Sequence, residues 1–310
     1  MPQAHILKTF IAGAACAALA ACDMPAPIDM PDPAPAPITA PDTPKSASAR
    51  AYYGQVQTAL LSQGLMRTDG GGKDTPFDNR MLADNFIRVA LFDEYARESG
   101  AFVRQETASK LRRWEVPIIV GIRFGASVPL DKQATDRARI ASYLARLSAI
   151  TGHSMRVDDG VPNFWIYIVS EDEREALGPK IRAALPNLSA TDVAGITAMP
   201  RSTYCLVYAL SEGNSGAYTR AFAVIRAEHP DLLRLSCLHE EIAQGLGLAN
   251  DSPRARPSIF NDDEEFAMLT DQDELMLRML YDPSLRPGMT LTQARPIVEA
   301  LATRLIGGDS

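Results

Sequence analysis

The stretch that decides the fold runs Cys237-Leu238-His239-Glu240-Glu241-Ile242-Ala243-Gln244-Gly245-Leu246-Gly247-Leu248-Ala249-Asn250-Asp251. Leu238, Ile242 and Leu246 recur at every fourth position and make one apolar stripe, suited to packing a helix on a sheet. Glu240 and Gln244 are also four apart and share a second face. Gly247 marks the end of the helix, because a chain that leaves an α-helix through left-handed backbone favours glycine there. The pattern predicts a helix from about Pro230 to Leu248.

Upstream of it, elements alternate. Val116 to Phe124 reads as a strand, and Lys132 to Thr151 as an amphipathic helix with Ile140, Tyr143, Leu144 and Leu147 on one side. Met155 to Val157 and Phe164 to Val169 read as strands, and Glu171 to Ala184 as a helix. Thr203 to Leu210 and Tyr218 to Ile225 form a strand pair joined at Glu212-Gly213-Asn214-Ser215-Gly216. A further helix is expected from about Asp271 to Tyr281, and two N-terminal ones over Ala51 to Met66 and Phe77 to Ser99. Strand, helix, several strands and a long helix place the chain in the α+β class, with N-terminal helices ahead of a mixed sheet.

The first 21 residues read as an export signal. Lys8 precedes an apolar run from Thr9 to Ala18, too short to span a bilayer. The run ends in Leu19-Ala20-Ala21-Cys22, which resembles the lipobox of bacterial lipoproteins, and the resemblance implies lipidation of Cys22. Asp23 then favours retention at the inner membrane, on its periplasmic face. Eight prolines between Asp23 and Arg50 exclude a helix or a central strand there and predict an extended spacer. The expected organisation is therefore a signal over 1–21, a lipidated spacer over 22–50, a helical segment over 51–113 and an α+β domain over 114–310.

Composition agrees with a folded, exported domain. Apolar residues make up 46% and charged ones 22% of 310 residues, and the net charge of −7 gives no electrostatic reason to seek nucleic acid. Thr68-Asp69-Gly70-Gly71-Gly72-Lys73 lacks the Gly-Lys-Ser/Thr and the preceding buried strand of a phosphate loop.

The deciding stretch resembles the active-site helix of matrixin-like zinc peptidases, the zincins, once their signature His-Glu-x-x-His-x-x-Gly-x-x-His is laid from residue 240. Glu241 then falls on the general-base position and Gly247 on the glycine. Glu240, Gln244 and Asn250 stand where the zinc-binding histidines would be. His239 lies about 100° around the helix from Glu240 and does not replace them. Ser258-Ile259-Phe260 and the helix through Met279-Leu280-Tyr281 resemble the turn and last helix of that layout, without its methionine. A longer resemblance runs through Glu240 to Ser252, Pro257 to Asp263 and Leu280 to Thr290. It is to the proteobacterial "domain of unknown function 2927" family, typically exported, which carries no established activity.

Glu240, Gln244 and Asn250 offer oxygens alone. Zinc is not expected on them, and no cofactor is implied, although an oxygen-ligated divalent metal suits such groups better. Three readings stay open. The domain is a metal-free zincin-like module that binds or regulates an envelope protein or peptide. Or it is an envelope hydrolase using Glu241, with an oxygen-ligated metal or the Glu240/Glu241 pair, whose adjacent carboxylates are expected to diverge. Or the segment is an ordinary buried helix with a polar end. Besides the protein partner, the membrane is met through the lipid.

With Cys16 removed and Cys22 acylated, Cys205 and Cys237 remain in an oxidising compartment and are expected to form a disulfide between strand and helix; two separate buried thiols are the alternative. Asp262-Asp263-Glu264-Glu265, with Asp271, Asp273 and Glu274, reads as a solvated acidic loop, since the EF-hand spacing is absent. His153 and His229 are expected at solvent-facing loop edges, and Trp114 and Trp165 as core or strand anchors.

Overall fold

The computed structural model describes residues 42–98, 101–186 and 188–307, with 93–98 and 101–106 described by backbone alone. The export signal, Cys22 and the spacer up to residue 41 lie outside the described residues. No described helix is long and apolar enough to cross a membrane.

The first helix, α1 (Pro44–Ser62), begins inside the stretch expected to be spacer. The reason is local: Thr43 caps it by accepting the Ser46 N–H, and Pro44 occupies the first turn, where its missing N–H costs nothing. Beyond Pro44 no proline interrupts the run to Ser62. Next comes α2 (Asn79–Leu91), capped by Asp78, with Leu82, Phe86, Val89 and Ala90 buried. It stops eight residues short of the expected Ser99. At Phe92 the chain becomes extended and forms an antiparallel hairpin, β1 (Phe92–Glu98) with β2 (Ala101–Ala108). Ladder pairing along the hairpin overrides the helical propensity of Glu94, Ala96 and Arg97.

A parallel sheet follows. After β3 (Arg113–Trp114) and β4 (Ile118–Phe124) comes α3 (Leu130–Thr151), which ends at a left-handed Gly152. The chain continues through β5 (Met155–Val157) and β6 (Phe164–Val169). The single helix expected over Glu171 to Ala184 is two, α4 (Glu171–Glu175) and α5 (Gly178–Ala184), broken where Gly178-Pro179 cannot continue the first. Then come α6 (Ala190–Thr197), the strands β7 (Cys205–Ser211) and β8 (Ala217–Arg226), and the helices α7 (Asp231–Leu246), α8 (Asp271–Leu280) and α9 (Leu291–Gly307).

Across the sheet the order is β5-β4-β6-β8-β7, with the short β3 beside the start of β8. All pairs are parallel except β7 on β8. Strand periodicity sorts the two faces. Phe164, Ile166 and Ile168 of β6, with Ala221, Ala223 and Ile225 of β8, enter the main core with α2, α3, α7, α8 and α9. Tyr167, Val169, Phe222 and Val224 face the other way, into a smaller core closed by α5 and α6. Because α2 belongs to the main core, the expected line between residues 113 and 114 is not a boundary in the packing.

Candidate functional site

Two glycines seat α7. A Cβ on Gly245 would come 2.7 Å from the Phe164 ring of β6, so only glycine lets the helix lie this close to the sheet. The bared carbonyl of Gly245 accepts the Trp114 indole N–H at 2.8 Å. Gly247 ends the helix at φ 128°, where the sequence places the end, and a Cβ there would stand 2.1 Å from the Arg112 carbonyl oxygen. The chain must turn at this point, and the turn carries residues 250 and 251 back toward the helix.

The disulfide Cys205–Cys237 is present, with Cα atoms 5.9 Å apart, and ties edge strand β7 to α7. Beside it the helix presents its two glutamates. Among the described residues, Cys205, Glu240 and Glu241 make the one group of three metal-capable side chains whose ligand atoms all lie within 4.8 Å of one another. The adjacent carboxylates therefore converge, contrary to the divergence expected of neighbours on a helix; four-bond side chains bend further than the 100° between their Cα positions.

Glu241 is 4% exposed, and its Oε2 has no hydrogen-bond partner. Glu240 is half-buried. Burial pushes both carboxyl groups well above the usual range, and neighbouring carboxylates add to it: Asp251, Glu241, Glu264 and Asp262 for Glu240, and Asp251 for Glu241. Glu264 is itself raised to about 7, first by burial and then by Asp263 and Asp262.

The three positions matched to zinc ligands do not converge. Gln244 turns its Nε2 to Asp251, donating to Oδ1 at 2.7 Å. Asn250 goes elsewhere: its backbone N–H donates to the Val89 carbonyl at 3.0 Å and its Nδ2 to the Arg88 carbonyl at 2.8 Å. It thus caps the carbonyls left open at the end of α2. Asp251, one residue further on, takes the place beside the glutamates. Spacing had pointed to the return of the chain at Gly247, but not to which of two successive polar residues would face the pocket.

The three histidines among the described residues are engaged away from the glutamates. His239 stacks on Tyr143 at 4.0 Å and its Nδ1 accepts the Leu269 N–H. Burial, helped by Arg146, pushes it down to about 4 and keeps it neutral. His229 is buried, against the expectation of solvent, because the turn before α7 folds under α1, where Tyr53 meets its ring edge-on at 4.5 Å. His153 is half-buried with Nε2 2.8 Å from the Val116 carbonyl oxygen.

The acidic stretch after α7 divides as well. Glu265 is held by Arg256 at 2.6 Å and Arg67 at 3.4 Å, while Asp262 and Asp263 are exposed as expected. Asp273 is fully buried and accepts from the Ser258 hydroxyl and the Ile259 and Thr270 N–H groups, a structural staple rather than a solvated charge. Glu274 pairs with Arg146, and Asp271 is exposed. Trp114 is in the core, and Trp165 lies on a sheet face under the Arg123 guanidinium.

These residues do not fit the zinc that the peptidase resemblance would imply. Zinc takes ligands at about 2.0–2.3 Å in a tetrahedron, hence ligand atoms roughly 3.3–3.8 Å apart. Among the described residues no histidine nitrogen joins the group, and the one sulfur is in a disulfide. What the site offers is two neighbouring carboxyl groups whose ionisation is disfavoured by burial and by nearby acids.

Neither a comparison with curated proteins nor one with solved structures gives a match. A family model does match, over residues 79–300, which takes in every element from α2 to most of α9. With the core and the pocket both inside that range, the chain belongs to the family described as "protein of unknown function (DUF2927)".

Proposed function

We propose that this is an envelope lipoprotein, anchored at Cys22, whose domain is a zincin-like module that binds an extended peptide segment instead of cleaving it through zinc. The observation that carries the reading is strand β7. It pairs with β8 on one side, all seven of its residues from Cys205 to Ser211 are half-buried, and no other described strand pairs with its outer edge. An open strand edge is a template for strand addition. The strand begins at Cys205, which the disulfide fixes to α7 and whose sulfur lies within 4.8 Å of carboxylate oxygens of Glu240 and Glu241, so an added segment would have one end near them. The order β4, α3, β5, β6, then, after the inserted α4 to α6, a hairpin leading into α7, supports the zincin-like layout.

The experiment is a peptide-library screen with purified protein lacking residues 1–21, followed by backbone N-methylation of the selected sequences. Strand addition requires loss of binding when alternate positions are methylated; binding that tolerates methylation throughout rejects it. Cys22→Ser tests the anchor, with release from the membrane fraction expected. A second reading, hydrolysis with Glu241 as proton donor, is favoured by the raised pKa of that buried carboxyl. Cleavage of library peptides that disappears in Glu241→Gln would establish it.

A further inference from the structure

We propose that the pocket over α7 binds a hard divalent cation, calcium foremost, through the carboxylates of Glu240 and Glu241, with Asp251 beside them. Calcium–oxygen distances are about 2.3–2.6 Å, so one ion bridges two oxygens up to roughly 4.6–5.2 Å apart. The carboxylates of Glu240 and Glu241 approach within 4.8 Å and can take such an ion as they stand. Magnesium, at about 2.0–2.1 Å, takes only oxygens about 4.2 Å apart or less.

A second observation is independent of the acidic cluster. Glu241 is 4% exposed, yet its Oε2 has no hydrogen-bond partner. A buried acceptor left unmet is costly, and a cation between the two carboxylates supplies the missing partner. The surroundings agree in sign. Asp251, Asp262 and Glu264 all lie near enough to disfavour charge on Glu240, and the leading influences on either glutamate include no lysine or arginine. Asp251 is held in place by the Gln244 amide at 2.7 Å. Glu240, Asp251 and Glu264 are half-buried and Asp262 is exposed, which leaves a way in and open positions for water or a carbonyl oxygen. Cys205, locked in the disulfide, is a neutral wall and not a ligand.

Calcium, magnesium and zinc chlorides would each be titrated calorimetrically into the chelator-treated protein lacking residues 1–21, with thermal unfolding followed in parallel. The cation is added alone, so the result does not depend on whether β7 binds a peptide. The expected result is one calcium site, a rise in Tm with calcium, and at least about tenfold weaker binding in Glu241→Gln and in Glu240→Gln. Both variants should unfold, in chelator, at or above the wild-type temperature, because each replaces a buried acid among acids by a neutral side chain of the same shape; this separates loss of the site from loss of the fold. No calcium binding at millimolar concentration, or unchanged affinity in Glu241→Gln, overturns the proposal. So does tight zinc binding that appears only after a dithiol has reduced Cys205–Cys237, since the ligand would then be a thiolate.

Discussion

Two buried groups of charges lie one before α7 and one along it, and they are built on different rules. Before the helix, Arg226 is completely buried and its guanidinium is fully used: Nη1 donates to Glu171 at 2.5 Å, and Nη2 to the carbonyls of Met199, Pro200 and Thr203. Arg174 closes on the other oxygen of Glu171. Glu228 accepts from the Ser46 hydroxyl and the Glu171 N–H, leaving one oxygen unmet. Along the helix, Glu240 and Glu241 face Asp251 and Glu264 with no guanidinium among them. Burying a charge is tolerable when an opposite charge and hydrogen bonds satisfy it. The first group meets that condition for Glu171 and Arg226, with Oε2 of Glu228 and Nε of Arg174 left over, and is architecture. The second has no opposite charge among its leading neighbours, which is the condition the proposed cation would change.

The comparison can be broken at its strongest point. Arg226→Ala leaves Glu171 with half its partners in a dry site and should cost about 4 kcal/mol, read by chemical denaturation. A loss below about 1 kcal/mol would mean that the first group is no better satisfied than the second.

The disulfide joins the two groups, since Cys237 lies 3.7 Å from His229 while Cys205 borders Glu240 and Glu241. Replacing both cysteines by serine should lower stability by about 3–4 kcal/mol in the chain-entropy view for a sequence separation of 32. Peptide or cation binding at the pocket should weaken more than the global stability alone explains. Gly247→Ala tests the turn that delivers Asp251: with φ at 128° and the Arg112 carbonyl in the way, about 2 kcal/mol or more should be lost. The Gln244–Asp251 hydrogen bond should be disturbed with it, and a chemical-shift change confined to α7 and its exit would check this.

The smallest effect is the pH slope, and the groups should differ in its sign. His229, pushed well below 6.5 by burial, contributes stability that is present above pH 6.5 and lost as pH falls. Glu264, raised from 4.5 to about 7, contributes stability that is present below pH 4.5 and lost as pH rises to about 7. Glu264→Gln should therefore flatten the decline between pH 4.5 and 7, by under about 1 kcal/mol because one side of Glu264 stays wet. A steeper decline in that variant would reverse the assignment.

Much of this was legible in the residues. The stripe Leu238, Ile242, Leu246 and the stop at Gly247 gave α7 almost to the residue, because both follow from local rules. The β7–β8 hairpin was visible in its turn, and the disulfide in the compartment and the two remaining cysteines. The hairpin after Leu91 was not, since Asp93 to Arg97 carry no strand signal and are decided by pairing with β2. Within the site, sequence spacing located the return of the chain but chose Asn250 over Asp251. That choice depends on the end of α2, some 160 residues earlier, whose carbonyls take Asn250 out of the pocket. Glu264 was hidden in a run of four acids that looked alike. Only the fold separates the one that meets Arg256, the two in water and the one turned to Glu240.

The way α1 is docked has a mechanical consequence. Thr43 is bonded to Asp172, Lys45 to Glu175 at 2.7 Å, and Ser46 to Glu228 at 2.7 Å, all within the first turn of the helix. If the chain is held at Cys22, tension in the spacer enters the domain here, loading those three bonds together in shear before any strand is pulled. The load then passes to α4 and to the foot of α7, away from the free edge of β7. A domain clamped this way can be tugged by its tether while the pocket further along the helix keeps its shape.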